Sequence, residues 1–510
     1  MTFRRLRLDQ ACAGPTVDHD SHMRPTATST IMLPRVARPQ LPSGRSMGMA
    51  LLLVIATGCT SYRSQPLDDQ AVAAALAPPA AEAVRMQAAN IHHPLLHAVP
   101  LDLAAPLGPD QIALLAVVVN PGLKGVRRAH ALAQAQVIQA GILPNPQLAL
   151  NFDHPVGGAD GGTFNAWGAG LTWEVTALIG RDERIAAAQD AAEQVAIDVA
   201  WQEWQVALAA RLAATRLVAL DAQVELAGRL LKAQQDAAQR IAQATALGHQ
   251  VESERILAEA AQHEAATTLA QLGQARERQR ILLSQALGLA PGTLVSLDRP
   301  AFAVPGFPDA RQRAAQLSID LHHRRLDLLA LAAGYQSSDA TLRAAILAQF
   351  PRISLGLQQS RDNTNVVSTG FGLVIDLPIF DRNQGAIATA DATRDKLFAE
   401  YVDRLAGARS DLALAGVDCA ALAERLAPAR AHEAASAAWA KRQAAGAATH
   451  LINRAEAEAA QLLSLLASMD LLQLEQQVAE AAIAFDLAAG GYSPANEARE
   501  VRQSPTAEAR

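Results

Sequence analysis

The chain has 510 residues, 50% of them hydrophobic but only 4% aromatic, and a formal net charge of -6. Alanine carries that balance, so a thick aromatic core is not expected, and the acidic sign with no basic, aromatic-interleaved patch gives no reason to expect nucleic acid as a partner. Nowhere do 18 consecutive apolar residues occur, so no membrane-spanning helix is predicted.

In chain order, the first feature is the short apolar run Met49–Cys59, preceded by Arg35, Arg38 and Arg45. It is too short to span a bilayer and reads as a secretory signal. Cys59 directly after Gly58 resembles a bacterial lipobox, although Ala56 stands where leucine is usual. That resemblance implies acylation of Cys59, and Thr60 in place of Asp implies sorting to the outer membrane. The first 30 or so residues fit no signal architecture, so translation is expected to begin at Met32 or Met47. With Cys12 and Cys59 in or at the end of the leader, Cys419 is the remaining thiol and no intrachain disulfide is expected. Residues 1–58 are thus an upstream extension and signal. Residues 59–107 form an Ala/Pro-rich tether, expected to be of low order and laid along the outside of the assembly.

From 108 onward the chain repeats itself, in copies spanning 108–300 and 301–490, offset by about 200 residues. A tail of 491–510, expected to be disordered, follows. The first copy runs from Asn120-Pro121-Gly122-Leu123 through an Ala/Gln-rich helical stretch to Leu143-Pro144-Asn145-Pro146. Two alternating segments follow, Gln147–Val156 and Phe164–Thr176, joined by a loop containing Gly157, Gly158, Gly161 and Gly162. Then come a long helix Arg181–Ala246, a break at Leu247-Gly248 and a return helix His249–Leu287. The second copy repeats the order: Leu321–Gln349, Phe350-Pro351, alternating Arg352–Arg361 and Ser368–Ile379, helix Ala386–Ala445, a break at Gly446, and helix Ala447–Ala489. Pro428 is expected to kink or interrupt the longer of these two helices.

The alternation has period two. Trp167, Ala169, Leu171, Trp173 and Val175 interleave with Gly168, Gly170, Thr172, Glu174 and Thr176, which predicts strands with one greasy and one wet face. Each segment has about the length that a tilted strand needs to cross a hydrocarbon core. Four strands cannot close a membrane barrel, because the smallest use about eight and open edges in lipid leave N–H and C=O groups unpaired. Membrane strands therefore require several chains, and three would supply about twelve. The competing readings are a soluble antiparallel sheet packed on helices and a poreless coiled-coil scaffold. Against both stands the length of Arg181–Ala246, which has no proline and at 1.5 Å per residue extends about 100 Å. Helices of that length suit a conduit across an aqueous compartment.

Four stretches then carry a resemblance: Asn120-Pro121-Gly122-Leu123, QAGILPNPQLAL at Gln139–Leu150, FPRISLGL at Phe350–Leu357, and DLPIFDRNQGAIATA at Asp376–Ala390. Together, over 107–490 and in order, they resemble the TolC-like outer membrane efflux protein family, and the FDRNQG turn with the lipobox is similar to its lipoprotein channels for heavy metals and cations. The resemblance implies a mainly helical protein with membrane β-structure. In it a trimer shares a twelve-stranded barrel that continues into a periplasmic α-barrel. The implied function is a passive conduit fed by an inner-membrane pump (of the RND type) through a periplasmic adaptor, with a protein-secretion channel as the alternative. The implied adaptor-docking tips are Leu247, Gly248 and His249, and Gly446, Ala447 and Ala448. Glu252 and Glu254, with Asn453 and Glu456, are candidate entrance lining, and Glu458 lies nearby.

Other constellations are weaker. His92, His93 and His97 lie in the tether, and His322 and His323 are adjacent on a helix with side chains expected to diverge, so no metal site is predicted. The glycine-rich loop lacks the Lys-Ser/Thr and helix of a phosphate cradle. Arg181-Asp182-Glu183-Arg184 and Asp381-Arg382-Asn383 fit a membrane–water boundary and helix ends. No catalytic set with credible spacing occurs, so neither an enzyme nor a cofactor is expected.

Overall fold

A computed structural model describes residues 62–77, 79–157, 162–302, 304, 306 and 309–491. Cys59, the signal segment, the proposed start sites, Gly158, Gly161 and nearly all of the tail lie outside the described residues. The chain from Ala73 onward forms one compact unit, and residues 62–72 belong to another.

The elements are α1 (Asp69–Leu76), α2 (Ala81–Ala89), α3 (Pro109–Val119), α4 (Pro121–Gly141), β1 (Gln147–Asp153), β2 (Ala166–Glu174), α5 (Arg181–Ala246) and α6 (Glu252–Leu287). The second copy gives α7 (Ala310–Ile319), α8 (Leu321–Arg324), α9 (Leu326–Leu347), β3 (Ile353–Arg361), β4 (Val367–Ile375), α10 (Gln384–Ala448) and α11 (Arg454–Ala489). The duplication is explicit. After the short opening helices, each copy runs helix, hairpin, very long helix and return helix, and both return helices have 36 residues.

The helices form where strong helix formers run unbroken, and the four longest end on a left-handed residue. Gly288 (φ 70°) and Gly490 (φ 69°) close α6 and α11. Each abuts the N-cap of the helix that leads into the hairpin of its own copy, Asn120 before α4 and Arg325 before α9. A Cβ on Gly288 would lie 2.2 Å from Pro121 Cδ, and one on Gly490 would lie 2.6 Å from Arg325 Cγ. Both positions therefore need glycine for conformation and for space.

Several boundaries differ from the sequence reading. Pro428 lies inside α10 without interrupting it. Proline removes one backbone donor, and an alanine-rich helix packed along its partner tolerates that single loss. The second helix break falls after Ala448, not at Gly446, and the return helices begin at Glu252 and Arg454. β4 stops at Ile375 because Pro378 cannot donate to a ladder and the Ile379 N–H turns back onto the Leu377 carbonyl, 2.8 Å away. The tether is not of low order in its described part. Val84, Ala88, Leu96, Leu101 and Leu107 are buried in the core, and Leu107 bridges Leu297 in a parallel pairing. Its apolar side chains gain more from burial than the Ala/Pro composition suggests.

Three apolar clusters make the core. One joins the tether, α3, α5 and α6. Another joins α7 to α11. The third links the two copies, with Trp201, Trp204 and Leu208 of α5 against Leu326 of α9 and Ile483 of α11. The strands form one antiparallel sheet in the order β1-β2-β3-β4, so the two hairpins join through β2 and β3.

Candidate functional site: a two-faced sheet and two helical tips

Register settles the two faces of the sheet. One carries the rows Leu148–Leu171–Leu357–Phe371 and Trp173–Leu355–Leu373, with Ile353 opposite Ile375 at the helical end. The other carries Gln147–Thr172–Gly356–Gly372, Ala149–Gly170–Gln358–Gly370 and Asn151–Gly168–Ser360–Ser368. The apolar side chains stand in the open: Leu357 is 62% and Phe371 67% exposed. A continuous greasy face of this size on a soluble protein would be a liability. The polar face is small-residued, with glycine recurring where a lumen gains width. β1 and β4 each pair on one side only, so both outer edges present unpaired backbone groups that another chain can continue. Among the described residues no helix is long and apolar enough to cross a membrane.

Where the strands meet the helices lies an open cavity of about 680 Å³, lined among others by Glu174, Arg184, Arg352 and Asp376. Arg184 there donates to the Ala177 carbonyl at 3.1 Å, and Asn383 Nδ2 donates to the Ala345 carbonyl at 2.7 Å. These bonds tie the start of α5 to the turn after β2 and the start of α10 to α9.

The tips share one cap. At the first, Gly248 is left-handed (φ 76°) and the His249 N–H donates to the Ala244 carbonyl at 2.8 Å. At the second, His450 takes the left-handed place (φ 57°) and the Leu451 N–H donates to the Gly446 carbonyl at 2.9 Å. Both are the six-to-one bond of a Schellman motif. Gly446 is therefore the carbonyl acceptor, the counterpart of Ala244, and not the reversing residue. Its missing side chain makes room for Ile452, whose Cδ1 would lie 2.4 Å from a Cβ there. Leu247 is the C-cap of α5, and Ala447 and Ala448 end α10.

The acids flanking the tips divide. Glu252 is held by Arg255, whose guanidinium also reaches Glu259, and that contact holds the Glu252 carboxyl below its usual range. Glu254 and Glu456 are exposed. Asn453 caps α11, its side-chain oxygen accepting from the Ala455 N–H at 3.0 Å. Glu458 pairs with Arg454 of its own helix and with Arg240 of α5.

That last pair belongs to a polar seam between α5 and α11 that sequence reasoning missed. Arg216 donates to Glu480 at 2.7 Å, and Gln223 donates to Gln476 at 2.9 Å. Burial pushes the Glu480 carboxyl up, but Arg216 and Gln476 outweigh it and hold it below the usual range. Also missed was a buried ion cluster. Arg325, 3% exposed, grips Asp327 at 3.0 and 2.7 Å, Arg404 of α10 reaches the same carboxylate at 2.7 Å, and the Arg325 guanidinium lies 5.3 Å from the Trp201 ring centre. Burial raises the Asp327 carboxyl, yet the two guanidiniums win and keep it low. Burial and the nearby Asp327 charge raise Asp198. No local sequence signal marks these groups.

The histidines are occupied or apart. Buried His93 donates from Nε2 to the Ala200 carbonyl at 2.9 Å, while its Nδ1 accepts from the Leu95 and Leu96 N–H groups at 3.0 Å. His92 bonds the Asn90 carbonyl. His322 and His323 do not diverge as expected; their ring centres are 3.9 Å apart, since the four-residue α8 leaves both rings free to meet. Cys419 is buried, and burial with the nearby Asp486 and Asp418 charges pushes its thiol up to about 12. Among the described residues no three His, Cys, Asp or Glu side chains converge.

This architecture is similar to solved outer-membrane channels. The outer-membrane channel OprN matches with a TM-score of 0.59 at 17% identity, over 85% of this chain and 99% of that one. The outer membrane protein VceC of Vibrio cholerae matches at 0.58 and 16%, over 75% and 96%. CusC, whose structures describe transmembrane channel formation, matches at 0.58 and 16%, over 79% and 99%. No protein-family model matches the sequence, and no curated protein does. At these identities the likeness shows the fold alone: long helical hairpins carrying a four-stranded antiparallel sheet, arranged as in a single chain of those channels.

Proposed function

We propose that the chain is the outer membrane channel of a tripartite efflux system, a passive conduit without enzymatic activity. The carrying observation is a four-stranded sheet, apolar on one face and unpaired at both edges, seated on helices about 100 Å long. Three copies close twelve strands into one barrel and remove every open edge. The glycine-rich face lines the lumen and the apolar face meets lipid. Acylated Cys59 anchors the chain to the outer membrane, and the helices extend into the periplasm. There the tips at Leu247–His249 and Gly446–Ala448, extended by the observed turn through His450, receive an adaptor that couples to an inner-membrane pump of the RND type. The two copies, 108–300 and 301–490, together build one chain's share of the wall. Heavy-metal cations or small toxic molecules are the cargo.

Purified full-length, acylated protein in planar bilayers tests this reading. Discrete conductance steps from a species with the mass of three chains are expected. A detergent-free monomer that folds its strands into a self-contained globule ends it. At the entrance, Glu456→Ala and Glu252→Ala are expected to change conductance and reduce cation preference. Glu254→Ala and Asn453→Ala probe the same ring, and unchanged currents in all four remove the entrance assignment.

A further inference from the structure

Within one chain the two copies meet at a junction between β2 and β3. The Val175 N–H donates to the Ile353 carbonyl at 2.9 Å, and the Ile353 N–H donates to Thr176 Oγ1 at 3.1 Å. Beyond the strands the start of α5 packs on the end of α9. There Arg343 pairs with Glu183 at 2.8 Å, and Ser337 Oγ donates to the Ala187 carbonyl at 2.8 Å. The junction is therefore a polar one.

The outer edges repeat this relation without a partner in the chain. β4 runs toward the helical end and β1 away from it, so β4 of one copy can meet β1 of the next antiparallel, as β2 meets β3. Duplication makes the segment after β4 the counterpart of the one after β2, and the end of α4 the counterpart of the end of α9. Both segments are held in place, yet both leave apolar side chains in the open. After β4, the Ile379 N–H donates to the Leu377 carbonyl at 2.8 Å and Gln384 Nε2 donates to the Phe380 carbonyl at 3.2 Å. Leu377, Ile379 and Phe380 are nevertheless 71%, 66% and 91% exposed. Before β1, Arg181 Nε donates to the Gly141 carbonyl and Trp173 Nε1 to the Pro144 carbonyl, each at 2.9 Å. Ile138 and Ile142 stay 71% and 56% exposed.

We propose that Leu377, Ile379 and Phe380 of one chain seat on Ile138 and Ile142 of the next, an apolar clasp between chains where an ion pair joins the copies within a chain. The inference rests on the reading of three chains sharing one barrel. A ring-closing, head-to-tail contact brings opposite edges of the same sheet together, and the two patches lie at the same end of those edges. Lipid does not part them, because edge N–H and C=O groups in hydrocarbon must pair, and that pairing draws the flanking segments into contact. The counterparts of the ion pair agree. Glu183 is the third residue of α5, and the third of α10 is Ala386. Arg343 stands four residues before the end of α9, and Val137, beside Ile138, stands four before the end of α4.

Oxidative cross-linking of the full, acylated chain in phosphatidylethanolamine/phosphatidylglycerol vesicles tests it. Cysteines are introduced in pairs, Ile138→Cys or Ile142→Cys with Leu377→Cys or Phe380→Cys. The chain's own Cys419 is buried and poorly ionised. Within a chain β1 and β4 lie three strand spacings apart, about 14 Å, which is beyond the reach of a disulfide, so bonds form between chains. The expected result, from at least one pair, is covalent dimers and trimers on a non-reducing gel that reductant dissolves. Equimolar mixtures of the matching single variants are expected to stop at dimers. Conducting trimers that yield no cross-linked species with any of the four pairs overturn the clasp and leave the barrel reading standing. A protein that forms no trimer overturns both.

Discussion

The long helices α5 and α10 hold the same place in the two copies, with 66 and 65 residues, yet they live in different surroundings. α5 packs against α3, α4, α6, α9 and α11 and buries Trp201, Trp204, Leu208, Leu217 and Leu226. α10 packs against α7, α8, α9 and α11 and buries only Ala390, Ala408, Leu412, Gly416 and Cys419. Phe398, Val402, Leu414 and Val417 of α10 stand exposed. Duplication preserved length and caps, while position made one helix central and the other peripheral. The peripheral helix carries apolar surface that a second copy of the chain would cover, in keeping with the proposed trimer.

The sharpest way to break this comparison is charge removal at the heart of each copy. Asp327→Ala leaves Arg325 buried without its counter-charge, and the expected loss is about 3–5 kcal/mol. Glu203→Ala in the first copy leaves Arg127, which is 39% exposed and is rehydrated, so about 1–2 kcal/mol is expected. Denaturant midpoints of the two variants should separate clearly; equal losses would mean that the copies are energetically alike.

The caps give effects below that of Asp327→Ala. Gly288→Ala and Gly490→Ala meet both a left-handed backbone and a clash, and about 2–3 kcal/mol each is expected. Gly248→Ala, with open space around it, should cost only about 1 kcal/mol. His450→Gly should stabilise its tip by a similar amount, since the left-handed strain is relieved. Thermal melts of the four variants check the ranking.

The smallest effect is one of acidity, and it lies where the tether packs on the first copy. Burial lowers the His93 pKa from its ordinary 6.5, offset only in part by the Ala200 carbonyl and the Glu203 charge. A depressed folded value means that the contribution is fully present above 6.5 and is lost as pH falls through the folded value. Stability should therefore decline on acidification below 6.5, and His93→Gln should flatten that part of the curve. Asp327 adds a separate loss, since its lowered carboxyl contributes above the ordinary carboxylate range and fails as pH falls through its own folded value.

Whatever depends on neighbours along the chain was legible in the residues alone. The two-residue period of Trp167–Val175 and Phe371–Ile375 required strands with unlike faces. The proline-free run of Arg181–Ala246 required one long helix, and the repeated order of these signals revealed the duplication. These follow from local periodicity and propensity, which every segment carries within itself. Tertiary structure alone decided the rest. It joined the hairpins through β2 and β3, drew the tether into the core, paired Gln223 with Gln476 and assembled Arg325, Asp327 and Arg404. It also gave the second reversal to His450 and not to Gly446. In each case the partner, or the space that permits the contact, lies elsewhere in the fold, where a linear pattern of residue types carries no record of distance or burial.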